Sequence, residues 1–343
     1  MKLATLNNET RDGALCVVSR DLRIATVAYD VAPTMQSALD DWNYAAPLLG
    51  ELYEEANRHP GGSRWFDLDI AQLAAPLPRA YQHIGAFAYT AHLERLCPDT
   101  LGTEWRKEVL LLQRKSIDLL GPGEEIPLPA DDVDVDFGVE VAIVTDDVPA
   151  HIKREKAAEH IQLFLLGNTI TLRKILSEDL ARGHGSFHSH AHHSFGGIAL
   201  TPDELGSAWD GRKLNVKLRV RLNDGDFGSL HTAEDMHFDF PALIVQAARN
   251  RALSAGTILS SGPVSSRNAK DGVGSIAEGR ALEGKDATTP YLRFGDRVHV
   301  EASHGQDKNL FGPISQSLVQ QTTRRRMQIV EEEPTPDEAP VAE

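Results

Sequence analysis

The sequence predicts an α+β fold, rich in strands, and three stretches carry that prediction. Val133–Val144 reads VDVDFGVEVAIV and alternates strictly, with Val133, Val135, Phe137, Val139, Val141 and Ile143 on one face of a strand. Ile161–Leu166 is an apolar run that continues into Asn168–Leu172, NTITL, β-branched and alternating. Residues 214–222 and 226–231 flank Asn223-Asp224-Gly225, a strong hairpin signal. Many strands that do not follow one another directly, with few helices between them, favour a β-rich α+β chain.

The elements follow in order. Leu15–Val18 and Ile24–Ala28 are short strands joined by a polar turn. Pro33-Thr34 opens a helical stretch to about Arg58, with Leu39, Trp42, Ala46, Leu49 and Leu52 or Tyr53 as its packing stripe. Pro47 is expected to kink or divide it. A proline-bearing linker places a domain boundary near Leu73–Pro78, giving a small N-terminal domain over 1–74 and a larger one over 75–320. Residues 84–105 are expected to be helical in part, and 120–130 to be a loop. Residues 154–160 form a short charged helix, and Gly183–Gly197 is a histidine-dense loop. Phe240–Leu253 is a helix. Gly256–Ser261 and Ser275–Arg280 are expected as short strands, and Tyr291–Ala302 as a last strong strand bent at Gly295-Asp296. Residues 321–343 read as a disordered acidic tail.

Composition excludes several classes of protein. The 343 residues are 41% apolar and 25% charged, and no run approaches the roughly 18 apolar residues of a membrane span. The first residues lack the apolar core of a secretory signal. Cys16 and Cys97 make neither a disulfide framework nor a CxxC pair, so a reducing, cytoplasmic location is expected. Six acids lie in the last thirteen residues, which takes the remainder of the chain from −15 to −9. That balance disfavours nucleic acid as a partner.

The strand at 133–144 also raises a chemical question. Glu140 lies where the strand enters the protein, and a carboxylate there needs a partner or a function. Five histidines, His184, His188, His190, His192 and His193, crowd the loop. His188, His190 and His192 would share one face if extended, a set suited to Zn²⁺, Ni²⁺ or Cu²⁺, although a histidine-rich tract by itself is only compositional.

Seven segments resemble the fumarylacetoacetate hydrolase family, in the family's order: APLPRAYQ (75–82), LGPGEEIPLP (120–129), DFGVEVAIVTDDVP (136–149), TLR (171–173), GTILSSG (256–262), SIAEGR (275–280) and YLRFGDRV (291–298). Residues 1–70 resemble the small leading domain of its longer bacterial members. The resemblance implies a β-sandwich roll, a homodimer, a small carboxylate substrate of the keto-acid or β-dicarbonyl class, and Mg²⁺ or Ca²⁺ held by four carboxylates. Only Glu140 matches that metal set; Gly85, Gly138 and Thr169 stand at the other three positions. A hard cation needs such oxygen ligands, so Mg²⁺ or Ca²⁺ is expected to bind weakly or not at all. The resemblance also places His92 as general base, Glu278 as the carboxylate that orients it, and Arg173 as the residue holding the substrate's carboxylate. The family's lysine falls on His190 and its threonine on Pro263.

The expected function is therefore metal-independent proton transfer by a His92–Glu278 dyad: isomerisation, cyclisation, decarboxylation or lyase chemistry. Two alternatives stay open, a metal-dependent C–C bond hydrolase and a noncatalytic descendant that binds a ligand or partner.

Overall fold

The computed structural model describes residues 1–58, 62–97, 106–183 and 185–321; the expected acidic tail lies, from residue 322 on, outside the described residues. The strands are β1 (Lys2–Leu6), β2 (Ala14–Val18), β3 (Ile24–Val27), β4 (Phe66–Asp67), β5 (Gln82–Ala86), β6 (Leu111–Gln113), β7 (Ile126–Leu128), β8 (Val135–Thr145), β9 (Ile161–Leu172), β10 (His190–Phe195), β11 (Ile198–Leu200), β12 (Lys217–Leu222), β13 (Gly225–His231), β14 (Thr257–Ser260), β15 (Arg297–Ser303) and β16 (Ile314–Gln320). The helices are α1 (Met35–Asp40), α2 (Trp42–Arg58), α3 (Thr90–Leu96), α4 (Arg154–Ala157), α5 (Arg173–Ala181), α6 (Phe240–Ala247) and α7 (Ile276–Glu283).

Among the described residues, eleven strands make one large sheet, ordered β4-β3-β2-β1-β11-β9-β8-β14-β5-β6, with β10 added along β9. Five more form a second sheet, β13-β12-β15-β16-β7. The long antiparallel pair β8–β9 is the spine of the first sheet, in register from Val135↔Leu172 to Ile143↔Phe164.

The alternation in β8 sorts its side chains between two cores. Val135, Phe137, Val139, Val141 and Ile143 join a cluster with Val220, Val300 and Leu318 of the second sheet. On the opposite face, Ala142 and Val144 meet Met35, Leu39, Leu49 and Tyr53 of α1 and α2. Those helices cover only the far half of that face. At the near half, where Asp136, Gly138 and Glu140 stand, residues of α5 and α7 and His190 of β10 line an open cleft.

Several expectations need correction. Ser275–Arg280 is the start of α7 rather than a strand: the Ser275 hydroxyl accepts from the Glu278 N–H and caps the helix. The last strong strand starts after the bend, at Arg297, and β1 and β16 went unread. The break between α1 and α2 falls at Asp41, while Pro47 lies inside α2. Pro47 and Asn43 are both exposed, so the carbonyl that loses its N–H partner faces water. Part of the histidine loop is strand β10. Its pairing shifts between His190↔Thr171 and His192↔Ile170. This bulge turns His192 to the other side, so the three alternating histidines do not share a face.

Candidate active site

The cleft has a volume of about 750 Å³. Its apolar walls include Phe87, Phe137, Leu176, Pro263 and Tyr291, and its polar lining includes His92, Arg114, Glu140, Arg173 and His190. Five of the expected site residues therefore meet in one place: His92, Glu140, Thr169, Arg173 and His190, with Gly138 in the floor.

His92 sits on α3 and Glu278 in the first turn of α7, which packs against α3. His92 Nδ1 lies 3.0 Å from Glu278 Oε2, and both side chains are buried. With Nδ1–H donating to the carboxylate, the ring's lone pair is at Nε2. Glu278 stands at the third helical position after its serine cap, where a glutamate usually folds back on the cap's own N–H. Here the carboxylate is diverted to His92. Its other oxygen accepts from Arg95 Nη1 and Ser265 Oγ. Burial alone would raise the Glu278 pKa, but the hydrogen bonds from His92, Ser265 and Arg95 hold it below the usual value. Glu278 is thus a fixed anion behind the imidazole.

Arg173 begins α5 directly after β9 and points its Nε and Nη2 at Asp136 Oδ2, at 2.8 and 2.6 Å. Asp136 is fully buried and also accepts from the N–H groups of Ile276 and Ala277, the N-terminal turn of α7. One carboxylate therefore orients both Arg173 and the helix that carries Glu278. The Nη1 hydrogens of Arg173 are not engaged by Asp136.

Of the four positions that the family resemblance assigns to metal ligands, Gly138 faces Pro263, Thr169 bonds to Glu140, and Gly85 and Glu140 meet Arg114. Its Nη2 lies 3.3 Å from Glu140 Oε1, and the Thr169 hydroxyl donates to the same oxygen at 2.6 Å. A Cβ on Gly85 would lie 2.0 Å from Arg114 Nε, so the absence of a side chain at 85 is what admits the guanidinium. A Cβ on Gly138 would meet Pro263 Cγ at 3.0 Å. Among the described residues no three His, Cys, Asp or Glu side chains are placed to hold a metal ion. One carboxylate with a guanidinium hydrogen-bonded to it does not fit a hard divalent cation, which needs several anionic oxygens and repels a fixed positive charge.

The histidine loop divides its members. His190 reaches the cleft, with Nδ1 3.3 Å from the Ser186 carbonyl oxygen. His192 donates Nε2–H to the Pro127 carbonyl at 2.8 Å, and His188 pairs with Asp179. His193 is buried against Thr169 and Glu140, and His184 lies outside the described residues. Burial, and next the charges of Arg114 and neighbouring rings, push His190 and His193 well below the ordinary histidine value. Burial, and next the charge of Arg114, take His83 down to about 3; its Nδ1–H donates to the Lys115 carbonyl, which leaves Nε2 to accept from the Ser260 hydroxyl.

Sequence reasoning did not find Arg114, Arg95 or Ser265. Arg114 follows β6, whose pairing with β5 (Ile84↔Gln113, Gly85↔Leu112) sets it beside His83 and Gly85; no local motif announces that. The S-x-x-E spacing at 275–278 was a readable sign of a helix start.

Comparisons with known proteins agree with this architecture. Residues 1–79 match the model of the fumarylacetoacetase N-terminal domain 2, and residues 86–319 match that of the fumarylacetoacetate (FAA) hydrolase C-terminal region. The chain is 25% identical over 251 residues to oxaloacetate tautomerase YisK of Bacillus subtilis, covering 70% of this chain and 72% of that protein. Among solved structures, a putative HpcE protein from Mycobacterium smegmatis superposes with a TM-score of 0.68 at 19% identity, over 93% of this chain and 99% of the other. Maleylpyruvate hydrolase from Sphingobium sp. SYK-6, in complex with manganese(II) and pyruvate, gives 0.63 at 18%, over 94% and 100%. At these identities the structures speak for the fold, and the two family models, which between them span nearly all the described residues, place the chain in the fumarylacetoacetate hydrolase family.

Proposed function

We propose that the chain is an enzyme that moves a proton on a small keto-acid or β-dicarbonyl carboxylate, without a divalent metal. The observation that carries this reading is the His92–Glu278 pair, buried at the wall of a cleft lined by arginines. A histidine whose tautomer is set by a fixed carboxylate keeps its Nε2 lone pair free to act as a general base. Its Nε2 takes a proton from the carbon next to the substrate's keto group. Arg173, oriented by Asp136, offers its remaining donors to the substrate's carboxylate. The imidazolium then returns the proton to carbon or oxygen, giving a tautomer or positional isomer. The apolar walls exclude water and keep the charges on the guanidinium groups effective.

The tautomerase activity named for the Bacillus subtilis relative is of this proton-transfer kind, and it supports the reading. The test is solvent-deuterium exchange into oxaloacetate and pyruvate, followed by NMR with a chelator present. Wild-type protein is expected to accelerate exchange at the carbon beside the keto group, and His92→Ala to abolish the acceleration. Exchange that appears only after Mg²⁺ or Mn²⁺ is added would instead favour the metal-dependent hydrolase. Specific binding of these acids without exchange would favour a noncatalytic binding protein.

A further inference from the structure

We propose that Arg114 is the resident cation of this cleft and grips the paired oxygens of the keto-acid, the enolate above all, where other members of the family use a divalent ion. The inference rests on the keto-acid reading of the cleft and adds a residue and a ligand geometry to it.

The Arg114 side chain is 4% exposed, which for a guanidinium demands good partners. It does not have them. Only Nη2 is engaged, by Glu140 at 3.3 Å, while Nε and Nη1 have no acceptor among the described residues. Glu140 Oε2 is likewise buried and without a partner. Closed structural arginine–carboxylate pairs are commonly bidentate, with their donors matched. This pair has unmatched buried polar atoms on both members, and both residues line a cleft large enough for a small acid.

The surroundings are arranged around that charge. Glu140 is the carboxylate that touches Arg114, and the Thr169 hydroxyl holds it. Asp136 and Glu278 stand behind Arg173 and Arg95. The rings nearest Arg114, those of His83, His190 and His193, are all pushed toward the neutral form by burial, then by Arg114 or one another. They supply hydrogen bonds without competing for an anion. A guanidinium presents parallel N–H donors, and the adjacent carboxylate and keto (or enolate) oxygens of a 2-keto acid present the matching pair of acceptors. As the proton leaves for His92, charge builds on the enolate oxygen, so Arg114 binds the transition state more tightly than the ground state. No atom is gained or lost in this step: the carbon-bound proton moves to His92 Nε2, and its electron pair becomes the enolate.

The test uses oxalate, a planar mimic of that enolate, titrated calorimetrically into the full chain with a chelator present. Wild type is expected to bind in the micromolar range. Because removing one member of a buried pair endangers folding, the main variant is Arg114→Met combined with Glu140→Gln, its melting temperature checked first. It is expected to lose at least about 30-fold in affinity. Glu140→Gln alone keeps the guanidinium and removes the carboxylate that competes for it, so it should bind oxalate more tightly than wild type. Arg114→Lys keeps the charge but not the fork; it should bind about tenfold more weakly, and it serves if the double variant does not fold. Oxalate binding unchanged in the Arg114 variants, absent from wild type, or dependent on added Mg²⁺ or Mn²⁺ overturns the proposal. Binding through Arg114 with no proton exchange on any keto-acid leaves the anion site standing and removes the catalytic reading, so the two failures are distinguishable.

Discussion

Replacing Glu278 by Gln isolates the dyad most sharply, because the structure dictates how the amide must sit. Glu278 Oε1 accepts from Arg95 Nη1 and Ser265 Oγ, and Oε2 accepts from His92 Nδ1. Ser265 can turn its hydroxyl and accept, but Arg95 can only donate. The glutamine therefore keeps its carbonyl toward Arg95 and turns its NH₂ toward His92. Nδ1 must then accept, the proton moves to Nε2, and the lone pair that would take the substrate's proton is gone. The expected loss equals that of His92→Ala, about 10²–10⁴ in the exchange rate, or roughly 3–5 kcal/mol of transition-state stabilisation. The double variant should be scarcely slower than either single one, since members of one catalytic unit are not additive. The assay is NMR-detected solvent-deuterium exchange at saturating keto-acid, with the melting temperature of each variant measured alongside. A Glu278→Gln protein that folds and keeps exchange within about threefold of wild type refutes the tautomer argument, and a fully active His92→Ala protein refutes the dyad itself.

Four further outcomes are expected. Gly85→Ala forces Arg114 off Glu140, since β5 is clamped between β14 and β6 and cannot retreat; denaturant unfolding should show a loss of about 3–5 kcal/mol, the usual cost of breaking a buried pair. His83, His190 and His193 have lowered folded-state values, so the unfolded chain binds more protons below its ordinary histidine value near pH 6.5. Stability is then full above that pH and falls as pH drops from about 6.5 toward 3, by about 1.4 kcal/mol per pH unit for each neutral histidine, and a flat unfolding midpoint between pH 6.5 and 5 would contradict it. Calorimetry with Mg²⁺ or Ca²⁺ should show no stoichiometric micromolar site, and finding one would restore the metal-dependent reading. Deleting residues 331–343 should leave the melting temperature within about 2 °C; a drop of several degrees would show that the tail docks on the body.

What the sequence disclosed, and what it did not, follows from the range of the interactions involved. The strand β8, the β12–β13 hairpin and α2 were legible because their signals are local: a period of two, an Asn-Asp-Gly turn, an apolar stripe. Glu140, His92 and Glu278 were legible through family motifs, although nothing near His92 in sequence says that its partner lies 186 residues away. The bulge that separates His190 from His192 arises from pairing with β9, so extended alternation pointed the wrong way. The start of α7 was misread because its short apolar segment resembles a strand, although its serine cap and following glutamate marked a helix. Arg114 was invisible: its role exists only because β5 and β6 are neighbours and position 85 lacks a side chain.

That last dependence bears on whether the site is a ruin or a replacement. Independent decay of a metal cage would leave orphaned carboxylates, or holes where they had been. Here the changes are coupled in space. Gly85 makes the room that Arg114 fills, and Arg114 meets the carboxylate of Glu140. Thr169 does not merely lack a carboxylate, for its hydroxyl holds Glu140 in place and accepts from His193 Nδ1. Gly138 faces Pro263, so an added side chain there would press on the ring. An aspartate at 85 would collide with the guanidinium, and removing the guanidinium would leave Glu140 buried without its counter-charge. Gly85, Arg114, Glu140 and Thr169 are thus held by one another, which is the coupling that the proposed guanidinium site requires. On the proposed reading, the His92–Glu278 pair, held in the same cleft at the cost of burying a carboxylate, gives that cation a reaction to serve.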